Sequence, residues 1–232
     1  METVVLGKPS VLSRISRDAI VSAGCQIPFA SKVKSLDVIL YFALSMKQQI
    51  NTACRVCYFR IRQISKIRKF LSQESVVKLV SCFVLRCLDY CNSLLADLPT
   101  ESINKLPNCA ARLVLGMRKR AHITPALKSL HWLPISQRIH YKLSLLCYKS
   151  FNSLLPSNLF DLLSPCTVFR ILRSTSDITR LSVPRYQLEY YGKRAFSRSS
   201  PSVWNSLLAV LRSTNIINSF KTHLKTHLFR FI

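Results

Sequence analysis

Between Lys47 and Lys69, apolar residues recur as Ile50, Cys54, Cys57, Ile61 and Ile64, the three-and-four spacing of one helical face. Arg55, Arg62, Lys66 and Lys69 recur on the other side, so the pattern predicts an amphipathic helix that buries one stripe and presents a row of cations. Arg60 and Arg68 fit neither face. Ser72 is placed to cap a second helix, with Glu74 in its first turn facing the positive end of the dipole. That helix is predicted over about 73–95, with Val76, Val80, Phe83, Cys87, Cys91 and Leu94 or Leu95 as its stripe and Pro99 beyond its end. Segment 101–116 also reads as helical, but Pro107 removes a backbone donor inside it and predicts a kink or a shortening.

Thr124-Pro125 is a start signal, with Thr as N-cap and Pro at the first helical position, for a short helix ending at Trp132-Leu133-Pro134. Residues 135–152 return to helical spacing, with Ile135, Ile139, Leu143, Leu146 and Cys147 on one side. Arg138, Lys142 and Lys149 form a second basic row there. A last helix over 219–231 aligns Phe220, Leu224, Leu228 and Phe231. The first 45 residues read differently. The short runs VVL at 4–6 and VKSLDVIL at 33–40 are strand-like, and Gly7, Pro9, Gly24 and Pro28 break the chain between them. From 164 to 201 the chain reads as loop and strand, punctuated by Pro165, Pro184 and Pro201. The expected fold is mainly α, with a small N-terminal β portion, a helical bundle, and a helical C-terminal region that carries a basic loop.

Charge changes the picture most. The 232 residues hold 34 Lys+Arg against 10 Asp+Glu, a net charge of +24, and are 49% hydrophobic with only 4 Gly. Such a chain can bury a core, and its cation surplus points to a polyanionic partner. Nucleic acid is the leading candidate, because cations that neutralise phosphates release condensed counterions. An anionic membrane surface is the rival. No stretch approaches the roughly 20 apolar residues of a membrane span, and METVVLGKPS lacks the basic start and apolar core of a signal peptide. The expected setting is intracellular, cytoplasmic or nuclear, where the nine cysteines stay reduced. Arg170, Arg173, Arg185, Lys193, Arg194 and Arg198 in the loop are interleaved with Tyr186, Tyr190, Tyr191 and Phe196. Cations mixed with aromatics suit phosphates and stacked bases. A core-packed aromatic set with a solvated basic rim is the alternative, and it is the stronger reading for Phe196.

Candidate chemistry is sparse. Cys54-x-x-Cys57 with Cys87-x-x-x-Cys91 offers four thiolates for zinc. Both pairs lie within apolar helical stripes and lack the Gly of a zinc knuckle, so packing is the better reading. His223 and His227 have ligand spacing but no Glu of an H-E-x-x-H motif between them, and are expected to face solvent. There is no G-x-S-x-G and no phosphate-binding Gly-rich loop. The ten acids are scattered, and the closest pair, Asp97 and Glu101, brackets a Pro at a helix start. No group of carboxylates is placed to hold two metal ions.

LDYCNSLLADLP (88–99), AARLVLG (110–116), HITPALKSLHWLPISQRIHYKLSLLCYKS (122–150), VPR (183–185), YGKRAFS (191–197) and PSVWNSL (201–207) resemble the C-terminal part of reverse transcriptases from animal non-LTR retrotransposons of the LINE or jockey-like type. The resemblance extends over nearly the whole chain, and run 122–150 is its most specific part. It implies that residues 1–45 are the end of a palm with a primer-gripping hairpin at VKSLDVIL, 46–120 a helical thumb, and 121–232 the helical C-terminal region. Asp37 and Tyr41 stand where the family hairpin usually has Gly and Asp. In the family the palm aspartates hold Mg2+ and lie upstream of the residues matched here, so the expectation is a remnant that binds nucleic acid, RNA or an RNA–DNA hybrid, without a cofactor or polymerase activity of its own. The expected phosphate contacts are Arg55, Arg62, Lys66 and Lys69 on the first helix, Arg138 and Lys142 on the second basic row, and Arg173, Arg185, Lys193 and Arg194 in the loop.

Overall fold

A computed structural model describes residues 3–7, 12, 14, 20–22, 24–99, 101–166 and 180–232. The chain is mainly helical, with two small antiparallel hairpins at its N-terminal end. β1 (Ile20–Ser22) pairs with β2 (Cys25–Ile27), and β3 (Lys32–Ser35) pairs with β4 (Val38–Tyr41). In the second hairpin Ser35 faces Val38, leaving a two-residue turn with φ of 46° at Leu36 and 61° at Asp37. Positive φ at both central residues matches the right-handed strand twist, and Asp tolerates that region because its short side chain bonds locally. The run at 4–6 is not a strand: Thr3 makes a single bridge to Phe29, and Gly7 N donates to Phe42 O at 3.1 Å. Its backbone is held at its two ends, and among the described residues it ladders with no strand.

α1 (Lys47–Ile67) forms where the first apolar stripe predicts it, with Ile50, Cys57 and Ile64 buried. Gln49 Oε1 accepts from Ile39 N at 3.1 Å, which fastens β4 to the first turn of this helix. Ser72 caps α2 (Gln73–Val80), its side chain accepting from Ser75 N at 3.2 Å. The single long helix predicted over 73–95 does not form. Ser81–Leu85 make one π-helical turn, α3 (Arg86–Asp89) follows, and Cys91 turns left-handed at φ 53° before a 3-10 turn over Asn92–Leu95. Positions four apart drift by about 40° per step on an α-helix. The wider π turn removes that drift and keeps Val76, Val80, Val84 and Leu88 aligned, all buried to 1% exposure or less. Phe83, expected in the stripe, is thereby turned out and is 48% exposed.

α4 (Glu101–Leu115) runs unbroken through Pro107, whose side chain is buried in the bundle. Burying the ring against the core offsets the lost backbone bond. α5 (Thr124–Ser129) begins at Thr124, one residue earlier than the capping signal indicates. α6 (Ile135–Phe151) follows, then the single turns α7 (Ser157–Phe160) and α8 (Glu189–Gly192). α9 (Phe196–Asn205) forms inside the stretch read as loop, with Pro201 in it and buried. Asn205 accepts from Leu181 N at 3.0 Å and donates to Leu181 O at 2.7 Å, substituting for a ladder partner where Leu181 bridges Pro165. α10 (Ala209–Arg212) and α11 (Ile217–Leu228) end the chain with a 3-10 turn, in which Phe231 is 65% exposed instead of sharing the stripe of Phe220, Leu224 and Leu228.

Two apolar clusters share α6. Its first half, Ile135, Ile139 and Leu143, packs with α1, α2, α4 and Val38 of the hairpin. Its second half, Cys147 and Tyr148, packs with α9 and α11. In the second cluster the Tyr148 and Phe220 rings stack at 4.3 Å, Trp204 lies 5.9 Å from Phe220, and the Tyr148 hydroxyl donates to Asn215 O at 2.7 Å. Among the described residues no helix is long and apolar enough to cross a membrane. Phe220 has no exposed surface, so Phe220→Ala is expected to destabilise the fold by about 3–5 kcal/mol, read as a fall in the denaturant midpoint. A loss under about 1 kcal/mol would show that α11 is not packed on α6 in this way.

Candidate nucleic-acid interface

On α1 the predicted cations Arg55, Arg62 and Lys66 are exposed, as is Lys69 in the 3-10 turn that follows. The ion pairs of the described residues join Lys34 to Asp37, Lys78 to Glu74 and Arg138 to Asp89, so no carboxylate compensates this row. At its end Lys69 Nζ lies 4.8 Å from the ring centre of Phe70, itself 76% exposed. Arg60 and Arg68, which fit neither face of the helix, have structural partners instead. Arg60 donates to Phe83 O in the π turn. Arg68 donates to Leu71 O at 3.1 Å, to Leu113 O at 3.2 Å and to Val114 O at 2.9 Å, closing the C-terminal carbonyls of α4. Those carbonyls have no partner inside their own helix, and a cation there also meets the negative end of the dipole.

The second basic row divides. Arg138 is held inside the chain: Nη1 donates to both Asp89 oxygens at 2.8 and 2.9 Å, and Nε donates to Leu133 O at 2.7 Å. Its side chain is 13% exposed, so it is not presented as a free phosphate contact. Asp89 lies 49 residues away in sequence, and no helical spacing signals that pairing. Lys142, one turn further along α6, is exposed. In the loop, Arg185 and Lys193 are exposed, whereas Arg194 donates to Leu44 O at 2.9 Å and Leu94 O at 3.4 Å, tying the loop to the segment after β4. Arg198 lies 4.2 Å from the Tyr186 ring and donates to Pro184 O at 2.9 Å, and the Tyr191 hydroxyl donates to Gly7 O at 3.2 Å. Phe196 packs against both apolar clusters, a core role. Arg170, Arg173 and the Tyr190 side chain lie outside the described residues.

The structure also forms a cleft that the sequence pattern does not signal. Two adjoining chambers of about 340 Å³ and about 450 Å³ lie along α6 and α11 and share His131, Tyr141 and Lys225 in their walls. Lys142 enters the first chamber and Lys221 the second. Lys221 and Lys225 are four residues apart on α11 beside the buried Phe220 and Leu224, a helical spacing visible in the sequence. Partial burial, and after it the charge of Arg138, lower the Lys225 pKa. His131 sits at the left-handed position that closes α5, with φ 52°. His131 N donates to Lys128 O at 3.1 Å and Trp132 N to Leu127 O at 2.9 Å, the paired bonds of a Schellman motif. Glycine is the usual occupant, and a side chain there costs about 1 kcal/mol. The ring it carries stands edge-on to Phe229, with 6.2 Å between centres.

Among the described residues no group of three or more His, Cys, Asp or Glu is placed to hold an ion. Cys57 is fully buried, with Sγ 3.8 Å from Val84 O. A hydrogen bond from Cys57 to Cys87 draws the Cys87 thiol down to about 6 against the effect of burial, with Arg60 assisting, and the same bond and burial hold Cys57 protonated.

Comparison of the chain with protein-family models, curated proteins and solved structures finds no match.

The Arg138–Asp89 pair joins α6 to α3 across the mouth of the cleft. In a double-mutant cycle with Arg138→Gln and Asp89→Asn, urea unfolding is expected to give a coupling of about 0.5–1 kcal/mol, since Asp89 is half exposed and screened. Additive single and double variants would show the pair to be energetically idle.

Proposed function

We propose that the chain is a thumb-like, nucleic-acid-binding part of a non-LTR retrotransposon reverse transcriptase, which engages template–primer nucleic acid, RNA or an RNA–DNA hybrid, through cationic helices and does not polymerise on its own. The observation that carries the reading is the exposed, uncompensated row Arg55, Arg62, Lys66 and Lys69 in a chain of net charge +24. Exposed Lys142, Arg185 and Lys193 extend the same chemistry. The hairpin β3–β4, which the resemblance likens to a primer grip, is fastened to the first turn of that cationic helix through Ile39 and Gln49. A strand end and a basic helix held rigidly together suit a double-helical backbone. Such contacts position the duplex and do not read its sequence. The ten acids are scattered along the sequence, which supports the absence of polymerase chemistry.

Titration of a labelled RNA–DNA hybrid against the full chain by fluorescence anisotropy tests this. Binding is expected to weaken steeply with salt and to be indifferent to sequence. Reversing Arg55, Arg62, Lys66 and Lys69 to Glu should flatten the plot of log K against log salt by about 3.6. Affinity that is absent at moderate salt, or that survives the reversal with its slope intact, would favour a basic interaction protein whose cations only solvate it.

A further inference from the structure

We infer that the cleft between α6 and α11 is a separate site for a single-stranded nucleic-acid segment, with phosphates on Lys142, Lys221 and Lys225 and bases against Tyr141, His131 and Phe229. The inference deepens the nucleic-acid reading and rests on it for the class of ligand, but uses none of the α1 cations. Both chambers have the size of small-ligand pockets, and they adjoin through three shared residues, so the cleft is a track and not an isolated hole. Its walls alternate ammonium groups with rings: Tyr141 and His131 stand at the junction, and Phe229 flanks the second chamber edge-on to His131. Single strands need that combination, because their unstacked bases find rings while lysines follow the backbone. A duplex keeps its bases inside and would leave the rings unused.

Charge and hydrogen bonding fit the same ligand. Among the described residues Asp89 is the one carboxylate in either wall, and Arg138 neutralises it with Nη1 shared between its two oxygens, leaving the three lysines uncompensated. Lys225 has its charged form disfavoured by partial burial and by Arg138. A phosphate beside Lys225 and Arg138 relieves that repulsion. Asn92, 3% exposed, lines the first chamber, and its Oδ1 finds no hydrogen-bond partner among the described residues. A buried amide left unpaired is unfavourable, and the polar edge of a base supplies what it lacks. His131 adds an independent sign. A glycine would relieve the left-handed backbone at the end of α5, yet the chain places there the ring that lines both chambers.

His131→Gly therefore removes a wall of the site while easing the backbone. The full chain, His131→Gly, Tyr141→Ala and the pair Lys221→Glu/Lys225→Glu are titrated by anisotropy with a labelled ten-nucleotide oligouridine and, separately, with an RNA–DNA hybrid. Thermal melting monitors folding, and His131→Gly is expected to melt no lower than the parent. Each cleft variant should weaken oligouridine binding at least fivefold and change hybrid binding less than twofold, while the α1 reversal does the opposite. Hybrid binding with oligouridine affinity that is absent, or unchanged in His131→Gly and the lysine pair, overturns the cleft and leaves the proposed function standing. Loss of both ligands by the parent chain overturns both. A cleft that takes inorganic phosphate or a phosphoserine peptide and excludes oligouridine overturns the nucleic-acid assignment of this site.

Discussion

Arginine-to-carbonyl hydrogen bonding is the interaction on which this architecture depends. With 34 cationic residues and 10 acids, most cationic groups cannot meet a carboxylate. Several end on the backbone instead. Arg68 joins the end of α1 to the end of α4, Arg60 joins α1 to the π turn, Arg138 holds the bend at Leu133, and Arg194 ties the loop to residues 44 and 94. Apart from the Arg60 bond, which reaches Phe83 O inside the π turn, these bonds satisfy carbonyls at helix ends and bends. The planar fork lets one arginine serve two or three carbonyls at fixed angles, which a lysine ammonium cannot do. The cations thus divide by chemistry. Several arginines are drawn into the fold, and lysines together with Arg55, Arg62 and Arg185 stay at the surface, where a polyanion can reach them.

This division explains what the sequence discloses and what it conceals. The stripe Ile50–Ile64 and the helix 135–151 were legible because a helix with one buried face must repeat its apolar residues at three and four. The cap at Ser72 was legible because capping is local chemistry. Which arginines remain free was not legible, since Asp89 lies 49 residues from Arg138 and Leu113 lies 45 from Arg68. Prolines misled twice, at Pro107 and Pro201, because burial of the ring outweighed the missing donor. The α6–α11 cleft escaped the reading altogether. Its walls come from three segments, and its key residue, His131, is placed by a left-handed turn that a histidine does not advertise.

The cysteine-rich run SCFVLRCLDYCN shows the same limit at close range. Its Cys87 and Cys91 read as core residues of one continuous helix. Cys87 and Cys91 both pack on the first cluster and Cys82, off the stripe, is exposed, but the backbone turns left-handed at Cys91. Between them a π turn re-phases the stripe so that Val84 and Leu88 replace Phe83. A period of 3.6 cannot anticipate one wide turn, yet that turn decides which side chains reach the core and leaves Phe83 outside, where Arg60 lies 5.9 Å from its ring centre. Local backbone irregularity and the arginine network are therefore coupled: the carbonyl to which Arg60 donates belongs to the turn that displaced Phe83.

α6 connects these observations to function. Its inward residues belong to both apolar clusters, Ile139 and Leu143 to the first and Cys147 and Tyr148 to the second, so it cannot shift without disturbing either. Arg138, Tyr141 and Lys142 project from the same helix into the cleft, and Arg138 is pinned at two points. The cleft is consequently built on the most constrained element of the fold, which holds its groups in place before a ligand arrives. The α1 row has a different character: long side chains on an exposed face, fixed only at Lys69 by the neighbouring Phe70 ring. A flexible cationic row suits a backbone read without regard to sequence, and a preformed cleft with an unpaired amide at its wall suits a ligand whose bases are open to contact. Two nucleic-acid sites of unlike rigidity on one chain would let a duplex slide while a single strand is held.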